Sequence, residues 1–557
     1  MNTTITSRII IASTGLLSLA GQINAKEQPN ILWITCEDIS PTIGCYGDQA
    51  AKTPVIDQLA SEGVRYTHVF ATAGVCAPSR STIITGVYAP SLGTHHMRTG
   101  NDISGISKGI YPTETGIIDP EGNSVPKYSA VIPSEVRCFP ELLRKAGYYC
   151  TNNAKTDYQF AAPISAWDEN DSNAHWRNRP KDKPFFAVFN LNVSHESMIW
   201  KKKNDPLLIN KNAPNIPPYF PENKVIRQDV ARNYSNIAEL DKQVGQILKQ
   251  LKEDGLLEKT IIFFFSDHGG PLPRGKREIY DSGLRVPFIA RFPHRFKAGT
   301  VSEELISFVD LAPSMLSLAG ITPPDYMQGQ AFLGVHKSDN ARTEIFAARD
   351  RLDECYDMVR CVRTKDYMYV KNFYPEKPNY MDLKYRRQMD MMNELIRLHK
   401  SDSLNAVQEI WFHKTKSTEE FYKVKEDPHQ VQNLITDSCN QLIVEDLRKK
   451  LTNWQQKIND QGFIPEGEMV LQMWPNLKQP QTLKPAIEKI NNTFKISCPT
   501  QGASIVFQFS NSGASKPEWK HWHVYSEPIT AKKGQYLHII ASRIGFKQSE
   551  EFVIKCE

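Results

Sequence analysis

Apolar residues in this chain gather in short unbroken runs rather than alternating with polar ones. Asn30-Ile31-Leu32-Trp33-Ile34-Thr35, Pro184-Phe185-Phe186-Ala187-Val188-Phe189-Asn190-Leu191 and Thr260-Ile261-Ile262-Phe263-Phe264-Phe265 each read as a strand buried on both faces. Tyr148-Tyr149-Cys150-Thr151 reads as a weaker fourth. Elsewhere the spacing is helical: over 229–254, Val230, Tyr234, Ile237, Leu240, Val244, Ile247, Leu248 and Leu251 share one face, and Gly255 supplies a stop. Doubly buried strands separated by helical stretches predict an α/β fold, a mostly parallel central sheet covered by helices on both faces. Ligands of such sheets bind outside the carboxyl ends of the strands. Each run here is followed by chemistry-bearing residues: Glu37 and Asp38 after the first, Lys155 after the weak one, His195 after the third, Asp267 and His268 after the last. They are expected to converge on one pocket.

The pattern changes toward the carboxyl terminus. Residues 465–485 hold four prolines and little periodicity, which predicts a linker. Beyond it, Phe494-Lys495-Ile496, Ser504 to Phe509, Tyr536 to Ala541 and Glu551 to Ile554 are short β-like runs, predicting a small all-β sandwich. Trp519, Trp522 and Tyr525 fall between them and suit either a sugar platform or packing against a neighbouring domain.

Composition narrows the class. With 557 residues, 40% hydrophobic and 23% charged, the chain reads as a globular protein of several units. Its net charge of +5 is small and its Lys and Arg are dispersed, so nucleic-acid binding is not suggested. At the amino terminus, Arg8 precedes Ile9-Ile10-Ile11-Ala12 and Leu16-Leu17-Ser18-Leu19-Ala20, with Ala25 before Lys26. This reads as a signal peptide over 1–25, too short for a membrane span and without a lipoprotein cysteine, predicting a periplasmic or secreted protein. Ten cysteines are few for a disulfide scaffold; Cys498 and Cys556 either staple the last domain or stay as thiols.

The sharpest chemical signal is Cys76-Ala77-Pro78-Ser79-Arg80, followed by Ser81 and Thr85-Gly86. Pro78 suits the first turn of a helix, which would set Cys76 at the positive end of the helix dipole, facing an anion. A buried free cysteine at a loop-to-helix junction is the plain alternative for such a residue alone. Glu37, Asp38 and Asp267 offer hard oxygen ligands suited to calcium or magnesium, though each acid alone also fits a cap or turn. A thiolate–zinc site at Cys36 is the alternative there, without Cys/His spacing to support it.

Taken together, these residues resemble the type I sulfatases, whose C-x-P-S-R cysteine is converted to formylglycine. The resemblance covers about residues 29–465 and implies an alkaline-phosphatase-like sulfatase fold. It implies a catalytic domain over 26–340, a smaller C-terminal α+β subdomain over 341–465, a linker over 466–486 and the β-sandwich over 487–557. By that resemblance Glu37, Asp38, Cys76, Asp267 and His268 hold one Ca2+, Glu37 standing where the family usually has an aspartate. Arg80 steadies the formylglycine, Lys155 and Lys276 bind sulfate, and His195 protonates the leaving group. Asp157 departs from the family, which commonly has histidine there; it is expected to orient Lys155 or to meet sugar hydroxyls. His95, His96, Arg98, His175 and Arg177 are candidates for the substrate rim, with Trp176, Arg349, Arg351 and Asp353 beside them.

The layout from Thr85 to His95 is similar to the heparan N-sulfatase-like branch. It implies a sulfated polysaccharide substrate, marine algal (ulvan or carrageenan) or glycosaminoglycan, and as partner a formylglycine-generating or anaerobic sulfatase-maturating enzyme. Competing readings are a heparan sulfamidase, a phosphoryl or phosphonate hydrolase of the same superfamily, and an inactive carbohydrate-binding homologue.

Overall fold

The computed structural model describes residues 28–511, 513 and 520–556; the expected signal peptide and Trp519 lie outside the described residues. Eight strands form the central sheet: β1 (Asn30–Cys36), β2 (Val64–Phe70), β3 (Tyr149–Asn153), β4 (Glu169–Asn170), β5 (Phe185–Leu191), β6 (Thr260–Ser266), β7 (Arg285–Arg291) and β8 (Thr300–Ser307). Their order is β4-β3-β5-β1-β6-β7-β2-β8. The four runs expected from sequence are β3, β5, β1 and β6, which are neighbours and parallel throughout. β7 runs antiparallel to both β6 and β2, and β8 returns parallel to β2, so the sheet is mostly parallel rather than wholly so.

Apolar clusters cover both faces of the sheet. Trp33, Phe186, Phe263 and Phe265 meet the helix Leu311–Leu318 on one side. On the other, Leu32, Ile34, Phe185 and Ile262 meet Ile237, Leu240 and Val244 of the helix Lys224–Glu253. That helix starts at Asn223, whose side chain accepts from the amides of Val225 and Ile226. It is followed by Gly255 at φ 67, the left-handed conformation expected of a stop.

A second, antiparallel sheet follows in the order β12-β11-β10-β9, from β9 (Ile345–Arg349), β10 (Val359–Arg363), β11 (Tyr367–Asn372) and β12 (Glu419–Lys423). The stretch expected to be a linker is instead partly ordered: Glu466–Met473 is a helix with Glu466, Met469 and Val470 buried. Sequence periodicity was weak there because the helix is only eight residues long and one of its buried positions is a charged residue.

Two small antiparallel sheets end the described chain. One is β13 (Ala486–Ile490), β14 (Thr493–Ser497) and β17 (Ile529–Thr530); the other is β15 (Ser504–Ser510), β16 (His523–Val524), β18 (Tyr536–Ser542) and β19 (Phe552–Lys555). Trp522 is 4% exposed and packs with Ile164, Val506 and Ile540, so it docks this unit on the larger one. Ser504 Oγ donates to the buried Glu141 carboxylate across the same junction. All ten cysteines are free thiols, Cys498 and Cys556 included.

Candidate active site

Cys76 is the first residue of the helix Cys76–Thr85, which is buried along its whole length. Val75 before it is extended, and Gly86 at φ 70 ends it. The loop entering the helix lies directly on the loop that carries Lys276: Arg277 N donates to Gly74 O at 2.6 Å. A Cβ on Gly74 would fall 2.2 Å from the Glu278 carbonyl, so only glycine permits this approach.

The carboxyl ends of β1, β3, β5 and β6 deliver the remaining groups to the same place. Cys76 Sγ, a carboxylate oxygen of Glu37, one of Asp38 and a ring nitrogen of His195 all lie within 4.8 Å of one another. Cys76, Asp267 and His268 form an overlapping group of three within the same distance. Sγ is 3.4 Å from His268 Nε2 and 3.8 Å from Glu37 Oε2. His268 Nε2 is 3.0 Å from Asp38 Oδ1. Arg80 donates through Nη2 to Glu37 Oε1 (2.6 Å), through Nε to Asp267 Oδ2 (3.0 Å) and through Nη1 to Asn190 Oδ1 (2.9 Å). Lys155 Nζ reaches Glu37 Oε2 at 2.6 Å, and Lys276 Nζ reaches both oxygens of Asp38 at 2.8 Å. Half-buried His195 holds its Nδ1 2.9 Å from Ser197 Oγ.

The electrostatics suit an anion-handling nucleophile. Burial alone would keep the Cys76 thiol protonated, but Lys155 and Lys276 pull its pKa down to about 7. Burial likewise opposes ionisation of Glu37 and Asp38, yet the cations beside them, Lys155 and Arg80 for the first and Lys276 for the second, hold both well below the usual carboxylate range. Burial would depress His268, but Asp267 and Asp38 raise it to about 10. Three buried carboxylates, a histidine and residue 76 converge, and no other group of three or more His, Cys, Asp or Glu positioned for a metal occurs among the described residues. The donor set fits a hard divalent cation.

Of the expected rim, Arg98 and Asp157 lie at this site. His95 and His96 do not: both are buried, their rings tilted against each other at 4.2 Å, and His96 Nδ1 approaches Glu466. Two adjacent polar residues after a loop gave no sign that the loop turns inward. His175 Nε2 pairs with the side chain of Gln250 and Arg177 with that of Asp254, both at the end of the helix Lys224–Glu253, so these two are tied to a helix end instead of lining the pocket. Arg349 and Arg351 are held in buried ion pairs with Glu278 and Asp357, and with Glu466, respectively.

Sequence reasoning missed Glu196, which is buried and bidentate to Arg277 at 2.8 Å and 3.3 Å from Lys276. It also missed Tyr385, which meets Trp200 edge-on at 5.2 Å and lies close enough to Glu196 and Lys276 to feel their charges. Glu196 follows His195 directly and was within reach; nothing local marks Tyr385.

A family model described as Sulfatase matches residues 29–180 and 171–321, and one described as N-sulphoglucosamine sulphohydrolase, C-terminal, matches 274–409. An ulvan-active sulfatase of Formosa agariphila is 43% identical, the alignment covering 96% of this chain and 92% of that protein. Human N-sulphoglucosamine sulphohydrolase is 24% identical over 83% of this chain and 97% of its own. Among solved structures, a protein in complex with its substrate D-glucosamine-2-N,6-O-disulfate superposes with TM-score 0.54 at 18% identity, covering 79% of this chain and 99% of that one. The last likeness concerns the fold alone.

Proposed function

We propose, from the premise that this chain belongs to the sulfatase family, that it hydrolyses sulfate esters of a sulfated polysaccharide or its oligosaccharides, of the ulvan type. The observation that carries the reading is the place of Cys76: first residue of a buried helix, with Sγ between the cations Lys155 and Lys276 and the acids Glu37, Asp38 and Asp267. The family implies formylglycine and a divalent metal, and Cys76 Sγ marks where the hydrated aldehyde's oxygens would stand. Glu37, Asp38, Asp267, His268 and residue 76 would hold Ca2+, which when bound supplies Lewis-acid polarisation and positive charge.

The chain's own residues account for the rest. Formylglycine at position 76, once hydrated, would supply a hydroxyl nucleophile for the sulfate sulfur, and Arg80 would hold that group in place. Lys155 and Lys276 neutralise the sulfate oxygens, and both have their amines fixed by buried acids before substrate arrives. His195, aligned by Ser197, gives its proton to the departing sugar oxygen as the S–O bond breaks. The hydrate's second hydroxyl would supply the chemistry that releases sulfate and regenerates the aldehyde.

The match of 274–409 to the N-sulphoglucosamine sulphohydrolase C-terminal model favours one further reading, cleavage of an N-sulfate. Paired assays on O- and N-sulfated glucosamine separate the two. Export to the periplasm or beyond, and maturation by a formylglycine-generating or anaerobic maturating enzyme, belong to the same proposal; no helix among the described residues is long and apolar enough to cross a membrane.

Mass spectrometry of the peptide containing residue 76, from protein made in its native host, tests the reading. Conversion of thiol to aldehyde is expected, with turnover of ulvan oligosaccharides. Cys76→Ala should keep the thermal midpoint and abolish turnover; retained turnover would sink the mechanism.

A further inference from the structure

Two side chains beside the sulfate pocket retain hydrogen-bonding capacity that the fold does not use. Asp157 is 4% exposed, its backbone sits at φ 53, and its Oδ2 is buried without a hydrogen-bond donor among the described residues, 3.6 Å from Lys155 Nζ. A buried carboxylate oxygen without a donor is costly and rare in a folded protein. Arg98, at φ 64, keeps its side chain half-buried and, among the described residues, is ion-paired with no carboxylate. Asp353, the other acid on this rim, is directed to Arg277 at 3.7 Å.

The backbone that carries both residues is tied down. Met97 N donates to Arg351 O at 2.8 Å, and Lys127 Nζ to Arg98 O at 2.6 Å. Thr99 Oγ1 donates to Gln159 Oε1 at 3.3 Å, which joins the two loops within two residues of Asp157. The guanidinium stays within the field of Asp157 and Cys76, which outweigh burial and keep it charged. An arginine on a fixed backbone, without an ion-pair partner among the described residues and beside a pocket whose two lysines already serve one sulfate, points to a second anion. The planar guanidinium fork suits a carboxylate or a sulfate equally.

We propose that Arg98 and Asp157 form a recognition pair for the sugar that carries the scissile sulfate. Arg98 takes a second anionic substituent, and Asp157 Oδ2 accepts a hydrogen bond from a neighbouring hydroxyl. The substrate class is therefore a saccharide with a further anionic group within reach of the sulfate that is cleaved. The inference rests on the sulfatase reading of the pocket. It also gives a carboxylate a task at a position beside sulfate, since a sugar hydroxyl is attracted where a sulfate oxygen is repelled.

Binding separates this proposal from catalysis. Cys76→Ala protein is titrated calorimetrically with inorganic sulfate, with heparin oligosaccharides, and with ulvan oligosaccharides before and after reduction of their carboxylates to alcohols. Adding Arg98→Ala should weaken oligosaccharide binding about 10- to 100-fold, and Asp157→Ala about 10-fold, with inorganic sulfate changed less than about twofold. Arg98→Lys should recover part of the loss. If the effect of Arg98→Ala disappears on the reduced oligosaccharides, the second anion is a carboxylate; if it persists, a sulfate. Equal weakening of sulfate and oligosaccharide, no weakening of either, or binding of sulfate without any oligosaccharide overturns the pair. Failure of the Cys76→Ala protein to bind inorganic sulfate overturns the sulfatase reading of the pocket instead.

Discussion

Two buried clusters of charge lie side by side in this protein and differ in how their cations and acids are matched. In the cluster behind the rim, Arg351 is bidentate to Glu466, Arg360 bridges Asp350 and Asp460, and Arg349 bridges Glu278 and Asp357, with Lys416 on Asp357 as well. Tyr128 and Tyr356 donate their hydroxyls to Glu466 too. In the cluster around Cys76, the acids share their cations unevenly. Glu37 serves Arg80 and Lys155 at once, Asp157 keeps an unused oxygen, and His195 stays half open to solvent. Charges that close on one another hold a fold together; charges held short of closure can still receive a metal and a sulfate. Residue type does not tell the two apart, because both clusters are built from Arg, Asp, Glu and His.

The strongest test of that contrast removes one residue from the open cluster. His195→Ala should lower kcat on sulfated oligosaccharides about 10^2- to 10^4-fold and move the thermal midpoint little, because the ring is half exposed and its hydrogen bonds are both to Ser197. The loss should shrink on 4-nitrophenyl sulfate, whose leaving group needs no proton. An equal loss on both substrates would remove His195 from the acid role and leave the open cluster without its leaving-group donor.

The mirror experiment is Glu466→Gln in the closed cluster. It leaves the buried Arg351 without a full counter-charge, which costs about 3–5 kcal/mol. The apparent unfolding midpoint in urea should fall accordingly, while kcat per folded molecule stays within about threefold. A large kcat loss in a protein of unchanged stability would show that the closed cluster takes part in the chemistry, and the contrast would fail.

Much of this arrangement was legible in the sequence, and the parts that were not share a cause. Strands β1, β3, β5 and β6 were readable because each is buried on both faces and so appears as an unbroken apolar run. The residues after them fell into one pocket because parallel strands end on the same side. β2 and β8 were missed: Val64–Phe70 and the edge strand Thr300–Ser307 beside it carry Arg, His, Ser and Glu at partly exposed positions, where no continuous run is needed. The helix at 466–473 was missed because what fixes it is Glu466 meeting Arg351, 115 residues away. The same limit explains the rim: Arg98 and His96 are two residues apart, and only the turn of the chain sends one to the pocket and the other inward.

A third kind of buried charge extends the comparison to its smallest expected effect. Asp229, inside the helix Lys224–Glu253, is 4% exposed and accepts from Met391 N at 2.7 Å, but among the described residues no cation is bonded to it. Burial pushes its carboxyl up to about 6, the opposite direction from Glu466, which Arg351 holds well below the usual range. The ordinary aspartate value of about 3.9 describes the unfolded chain. Between about pH 4 and pH 6 the native state therefore binds more protons than the unfolded state, and stability falls as pH rises through that window. The cost at neutral pH is about 3 kcal/mol. Asp229→Asn keeps an acceptor for Met391 and removes the titration, so the variant should be the more stable protein at pH 7 and indistinguishable from the parent below about pH 4. The stability difference between the two, followed by urea unfolding from pH 4 to 7.5, isolates this one group from the many others that titrate. A difference that does not vary with pH would mean that the carboxylate is already compensated inside the fold, and that an acid without a cation can be as settled as the closed cluster.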